Sequence, residues 1–271
     1  MSNFSRGFGS LVSRVVGVLA RLESPKLIIT LLQTLFIKKY KLNMSECVIP
    51  DTGRFSSLHT LFIRDLKQGA RFIAHEPISP ADGVLRDMQD SAGELVQVKG
   101  INYTVSELTA GRAATGVVVN MYLSPKDYHQ VHSPVSGVLR EIAFVPGTLW
   151  PVNDWALHNV CKLFSTNERA IFTIETERFG MIYLVMVGAL NVGNILTPWG
   201  ESPSVVQGAE SVLSPQCSIV AGDKLGAFAL GSSVLVVLPS SHFGQQEVKV
   251  GEIKLGESLQ QRGLVSRGSF T

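Results

Sequence analysis

Apolar residues recur at helical spacing through the start of the chain: Leu11, Val15, Val18 and Leu22, then Leu27, Leu31, Leu35 and Phe36. A face that returns every three to four residues predicts two helices, broken at Ser24-Pro25, where proline ends a regular turn. From about residue 70 the pattern changes to short runs rich in β-branched residues, each closed by Gly or Pro. Gly116–Leu123, Ala170–Ile174, Ile182–Val187 and Ser233–Leu238 are the clearest, and runs of this length and make-up predict strands. The expected fold class is α+β and mainly β, with amphipathic helices over residues 1–45 ahead of a β-rich body over 46–271.

The body contains an echo. Ser79-Pro80-Ala81-Asp82-Gly83-Val84-Leu85-Arg86 is nearly repeated as Ser133-Pro134-Val135-Ser136-Gly137-Val138-Leu139-Arg140. In each copy Pro stiffens the approach, Gly is expected to supply a backbone angle that other residues resist, and an apolar strand leaves. The pattern resembles the hairpins of lipoyl- and biotinyl-carrier barrels and predicts two related hairpins in one sheet system. A carrier needs a lysine at the exposed turn, and here Asp82 and Ser136 stand there instead.

Composition narrows the classes. Hydrophobic residues make up 45% and charged residues 17% of the 271, which is globular and leaves no room for bulk disorder. A net charge of +2 with no basic, aromatic-interleaved patch argues against a nucleic-acid partner. Cys47, Cys161 and Cys217 are scattered and odd in number, which fits neither a disulfide framework nor a zinc site. Positive charge is concentrated at the start, where Arg6, Arg14, Arg21, Lys26, Lys38, Lys39 and Lys41 face Glu23 alone. The uncharged stretch Leu27–Ile37 falls short of the roughly 20 residues that cross a bilayer, and no secretory cleavage pattern follows the charged start. Two readings stay open for these helices: lying on an anionic lipid surface, or packing on their own domain. A mitochondrial presequence is the weaker third.

Three segments hold residues capable of chemistry: the turn at Asp82, the stretch Ser124–Pro134 with His129 and His132, and Phe228–Val234 with Gly231 and Ser232. Ser124-Pro125 is a good helix start, and a helical turn would carry His129 and His132 on one face. Structural packing, acid–base work and metal binding are all open to the pair, but no further ligand cluster supports a metal. Ser232 reads either as a bend in a strand or as a nucleophile completed by Asp82 and His132. A Gly-x-Ser-x-Gly elbow is absent, so a hydrolase nucleophile elbow is not supported.

These three segments, in this order, resemble the hallmark motifs of phosphatidylserine decarboxylases. The likeness runs on through Phe36–Lys41, Pro50–Thr52, Val145–Leu149, Val152-Asn153, Asn167–Arg169 and Val187–Gly193, and so spans nearly the whole chain. One departure is Ser233, where the usual bacterial motif has Thr; the hydroxyl is kept.

The resemblance implies a self-processing enzyme with a covalent pyruvoyl cofactor. His132, oriented by Asp82, would deprotonate Ser232, whose alkoxide attacks the carbonyl of Gly231. Ester formation, loss of the serine α-proton and hydrolysis would then leave a pyruvoyl group on a chain of residues 232–271, paired with residues 1–231 and further dimerised. That ketone would condense with the amine of phosphatidylserine, accept the electrons released as CO2 leaves, and yield phosphatidylethanolamine. His129 and His132 are the implied proton carriers. The implied location is the cytoplasmic face of the cell membrane, or alternatively the mitochondrial inner membrane. Two rival readings use the same residues: a lipid-ester hydrolase that never cuts itself, and a noncatalytic lipoyl-like module.

Overall fold

A computed structural model describes residues 20, 22–51, 55–91, 95–98, 101–150, 159–189, 195–201, 209–228 and 232–266. The chain is mainly β behind a helical start. Helix α1 (Lys26–Tyr40) follows Pro25 and ends at Lys41, whose left-handed backbone (φ 52°) closes it. The expected helix over Leu11–Leu22 lies almost wholly outside the described residues. A short helix, α2 (Leu58–Phe62), starts in a reciprocal capping box between Ser57 and Thr60.

Helix α1 is attached by one face only. Ile29 and Gln33 are buried, and the Gln33 amide donates to Phe55 O (3.1 Å) and Ser57 O (3.0 Å). Leu27, Ile28, Leu31, Leu32 and Leu35 are exposed, Leu27 at 87%. Among the described residues no helix is long and apolar enough to cross a membrane.

Eight strands carry the argument: β1 (Gly83–Asp90), β2 (Val117–Leu123), β3 (Gln130–His132), β4 (Gly137–Val145), β5 (Arg169–Thr176), β6 (Gly180–Val187), β7 (Lys224–Phe228) and β8 (Ser232–Leu238). The large antiparallel sheet runs Ser211–Leu213, β4, β5, β6, β8, β2, β1 and Gly251–Ile253, with Cys217–Ile219 also paired to β4. A smaller sheet runs Gly200–Glu201, Ile195–Thr197, β7 and β3. Every residue of β8 is buried, as the apolar run Val234–Leu238 requires of a strand covered on both faces. The two sheets meet closely at Gly226 in β7, where an added Cβ would lie 2.8 Å from Leu196 O and 3.0 Å from the Met186 sulfur.

The sequence echo is a local twofold relation. Ser79 Oγ donates to Ala81 O, and Ser133 Oγ to Val135 O. Ile78 N donates to Pro134 O (2.9 Å) while His132 N donates to Pro80 O (2.8 Å), so the copies bind each other reciprocally. Each copy then meets a matching loop: Ser79 exchanges backbone bonds with Gly256 and Glu257, and Ser133 with Gly222 and Asp223. The echoed glycines serve a different purpose from the one expected. Neither Gly83 nor Gly137 has a positive φ. An added Cβ at these positions would instead collide with Tyr122 O and Glu175 O on the neighbouring strands. Close strand approach is the constraint.

Gly137→Ala should therefore destabilise the fold by roughly 1–3 kcal/mol, the range for forcing atoms into a packed site. Urea denaturation in a Ser232→Ala background measures this, and an unchanged midpoint would show that the strands can move apart freely.

Candidate active site

Two segments of the chain connect the sheets, and the strand ends they join are paired with each other. The first, Ser124–His129, leaves the large sheet at Leu123 and enters the small one at Gln130; the second, residues 229–231, joins β7 to β8 in the opposite direction. Their ends are tied together. Ser232 pairs with Leu123, Ala227 pairs with Gln130, and Phe228 N donates to His129 O (3.0 Å). Residues 229–231, including Gly231, lie outside the described residues. Ser232 is fully buried at the first position of β8, and its Oγ has no hydrogen-bond partner among the described residues.

The first crossing is a turn rather than the expected helix. Asp127 N donates to Ser124 O (2.9 Å), and the Asp127 carboxylate accepts from both Ser124 N and Ser124 Oγ at 2.7 Å. The same side-chain bond can also cap a helix, as Thr60 does at Ser57, but here the chain makes a single turn and passes into β3, which pairs with β7. Burial raises the Asp127 pKa against those bonds. His129 therefore lies just before β3 and His132 at its end, not on a shared helical face.

The two imidazoles have different surroundings. His129 is wholly buried, its ring 4.0 Å from that of Phe62, which in turn packs on Phe36 of α1. Its Nδ1 lies 2.8 Å from Asp127 O, a carbonyl that can only accept, so Nδ1 carries the proton and Nε2 has a free lone pair. Burial pushes its pKa down to about 3. His132 Nδ1 likewise donates to Gly222 O (2.7 Å), and its Nε2 accepts from the Tyr128 hydroxyl (3.1 Å). Burial lowers its pKa as well, opposed by the Gly222 bond. Both histidines are neutral near pH 7, with Nε2 as the basic atom.

Asp82 occupies the echoed turn, but its expected hydrogen bond to His132 is absent. Its carboxylate accepts from Arg71 Nε (3.0 Å), Arg71 Nη2 (2.5 Å) and Leu255 N (2.9 Å). Arg71 also pairs with Glu46 at 2.8 Å. Gly222 O selects the His132 tautomer in place of Asp82, whose negative charge still favours the imidazolium through space. Ser136, the echo of Asp82, accepts from Ala221 N just as Asp82 accepts from Leu255 N.

Asp82 and Tyr128 line one cavity of about 220 Å³, together with Arg64, Arg71, Lys126 and Asp127. Tyr128, Gln130, Arg64, Arg71 and Gly222 were not singled out by the sequence. Tyr128 directly precedes His129 and Gln130 directly follows it, but the spacing of the motif drew attention only to the histidines. The Gln130 amide reaches Ile63 O (2.7 Å), Arg64 O (3.2 Å) and Asp65 Oδ1 (2.7 Å), a contact no local pattern announces. Among the described residues no group of His, Cys, Asp and Glu is placed to hold a metal ion.

The His129 imidazole binds fewer protons folded than unfolded, so its contribution to stability is whole above about pH 6.5 and is lost as pH falls toward 3. Acidification over that interval should cost about 1.4 kcal/mol per pH unit from this group. His129→Gln should flatten the dependence by that amount in urea titrations of the Ser232→Ala chain; parallel curves would contradict the buried neutral imidazole.

Comparison with known proteins identifies the family. The family model described as phosphatidylserine decarboxylase matches residues 58–261. A phosphatidylserine decarboxylase proenzyme of Pseudoalteromonas translucida is 35% identical over 270 residues, covering 93% of this chain and 91% of the relative. One from Marinobacter nauticus is 37% identical with 92% of each covered, and one from Francisella philomiragia 38% identical with 86% of each covered. A match over most of both sequences, through the segments that build the two crossings, makes this chain a member of the phosphatidylserine decarboxylase family.

Proposed function

We propose that the chain cuts itself between Gly231 and Ser232 and then converts phosphatidylserine to phosphatidylethanolamine and CO2. The observation that carries this reading is Ser232, a buried hydroxyl with no hydrogen-bond partner among the described residues, where the chain passes from one sheet to the other. A serine to which no described residue bonds, in a fully packed strand, is available for chemistry, and Gly231 before it has no side chain beside its carbonyl.

In this reading His132 Nε2 takes the Ser232 proton. Its Nδ1–H is fixed on Gly222 O, so the tautomer suits a base. Tyr128, hydrogen-bonded to the same Nε2, must yield the lone pair or pass the proton through its hydroxyl. Asp82 stabilises the resulting imidazolium by its charge rather than by contact. The alkoxide attacks Gly231 C, the Gly231–Ser232 bond becomes an ester, loss of the serine α-proton releases Gly231 as a carboxylate, and water then converts the remaining dehydroalanine to the pyruvoyl group and ammonia.

The new end is held after the cut. Strand β8 stays paired with β2 and β6, while β7 stays paired with β3 and with Ile195–Thr197. Residues 232–271 also supply Leu255 N to Asp82 and an edge strand beside β1, so the fragments remain one body. A pyruvoyl group formed from Ser232 supplies a carbonyl conjugated to the reacting carbon, which accepts the electron pair as CO2 departs. The unpartnered Nε2 of His129 is an acceptor, and it holds no proton to give until one has reached it. The exposed apolar face of α1, with Lys26, Lys38, Lys39 and Lys41 along it and at its end, suits a helix lying on an anionic bilayer.

Intact mass should show two fragments divided between Gly231 and Ser232, the smaller blocked at its amino end. Ser232→Ala should abolish cutting and decarboxylation, and His132→Ala should leave the chain uncut. An intact wild-type chain trapped by a fluorophosphonate would identify a hydrolase instead. For the membrane surface, Leu31→Asp with Leu35→Asp should lower binding to phosphatidylserine-containing vesicles about tenfold or more without slowing self-cleavage, since two buried apolar side chains contribute about 1.5–3 kcal/mol each. Undiminished co-sedimentation would assign lipid contact to another face.

A further inference from the structure

Residues 220–223 form a turn in which Asp223 N donates to Val220 O (2.9 Å). Gly222 takes a positive φ of 91° there, which an L side chain resists, and an added Cβ would meet Ile73 at 2.9 Å. The other three backbone N–H groups of the turn are bound as well. Val220 N donates to the Asp223 carboxylate (2.8 Å), Ala221 N to Ser136 Oγ (3.0 Å) and Gly222 N to Ser133 O (2.9 Å). With its peptides fixed in this way, the turn presents Gly222 O to His132 Nδ1 at 2.7 Å.

The loop facing the other copy of the echo makes the same bonds to a different end. Glu257 N donates to Lys254 O, Lys254 N to the Glu257 carboxylate, Leu255 N to Asp82 and Gly256 N to Ser79 O. Gly256 also has a positive φ, 89°. Its carbonyl, however, accepts from the backbone N of Ala74 (2.9 Å), and Ile78 stands where the second copy has His132. The same carbonyl holds the chain in one copy and an imidazole in the other.

Ser136 is the side chain from outside the turn that hydrogen-bonds to it. Its hydroxyl donates to Glu76 Oε1 (2.5 Å) and its backbone N to Glu76 Oε2 (3.0 Å), which leaves an Oγ lone pair facing Ala221 N. Glu76 and Ser136 line a cavity of about 750 Å³, so water can take the place of the hydroxyl. A mobile water satisfies Ala221 N without fixing the turn.

We propose that Ser136, aimed by Glu76, is a positioning residue for self-cleavage: it holds the turn whose Gly222 carbonyl fixes the His132 ring with Nε2 free of a proton. This rests on the reading of His132 as the base that activates Ser232. Such a base needs a partner that sets both its tautomer and its ring plane, the part a carboxylate plays in an Asp–His–Ser set. Here a backbone carbonyl takes that part, and the copy of the echo that lacks a carboxylate supports it.

The test compares Ser136→Ala, Ser136→Thr and Glu76→Gln in the full chain, made by cell-free synthesis so that the cut is timed from the uncut form. Ser136→Ala should slow the cut about 3–10-fold, as loss of one hydrogen bond implies. Ser136→Thr keeps the hydroxyl and should restore most of the rate. A loosened Gly222 bond stabilises the imidazolium less, so the acid limb of the rate–pH profile should move to lower pH in Ser136→Ala. Tyr128, Lys224, Asp82 and Asp223, the other groups facing His132, are unchanged in all three variants. In uncut Ser232→Ala chains, nitrogen-15 spectra of His132 should show the Nδ1–H tautomer alone, and a mixture once Ser136→Ala is added. Parent-like rate, profile and tautomer in Ser136→Ala would overturn the proposal. So would a slower cut with profile and tautomer both unchanged, since that describes a loosened fold and not a displaced base. Should Ser136→Ala not fold, Glu76→Gln carries the comparison. Its amide faces the serine donors with one acceptor in place of two, so the same shifts should appear at smaller size, and parent-like behaviour there would refute the role. A parent chain that never cuts itself, with a tautomer that depends on Ser136, would leave the hold on His132 standing and defeat the self-cleavage reading.

Discussion

The arrangement depends on two crossings tied to each other at both ends. Leu123 pairs with Ser232 on the large sheet, and His129 O accepts from Phe228 N beside the small one. The strand ends on either side of residues 229–231 are therefore held beside the two ends of the histidine segment. β8 is covered on both faces, and that burial holds the tie in place. A reaction at residue 232 then occurs inside a framework anchored on either side of it, which explains how a chain could be broken there without losing its shape.

Electrostatics around this frame are set by burial more than by pairing. Both histidines are kept neutral by their surroundings, and each has its Nδ1 proton fixed on a backbone carbonyl. Backbone carbonyls are less easily displaced than side chains, so the tautomers are built into the fold. Asp82 is forked by Arg71, which also reaches Glu46 in the segment after α1. A second line runs from the same helix through Phe36 and Phe62 to His129. The surface proposed to meet lipid and the proposed catalytic groups are thus joined by direct contacts, one polar and one aromatic.

The internal twofold accounts for the location of the site. Both copies of the echo make the same serine turn and bind matching loops, and the copies bind each other. What differs is chemical: Asp82 with Arg71 in one copy, Ser136 with Glu76 in the other. The corresponding backbone partners, Leu255 N and Ala221 N, are retained. One framework was used twice, and only the copy with the carboxylate lines the cavity shared with Tyr128.

Much of this is written in the chain itself. Alternation and β-branched runs determine that the body is β, since strand formation follows local pattern. The echo determines that two hairpins are alike, and the order of Asp82, the histidine segment and Gly231-Ser232 determines the family. Partners distant along the chain are not so determined. A helix was expected after Ser124, but the chain makes a single turn closed by Asp127 and enters β3, whose pairing with β7 takes the backbone instead. Gly83 and Gly137 looked like residues needed for unusual backbone angles, yet the neighbouring strands' carbonyls are what exclude a side chain. Asp82 was expected to hold His132; folding placed Arg71 on one and Gly222 on the other. Periodicity records which way a residue faces, while only the packed sheets decide which other residue it meets there.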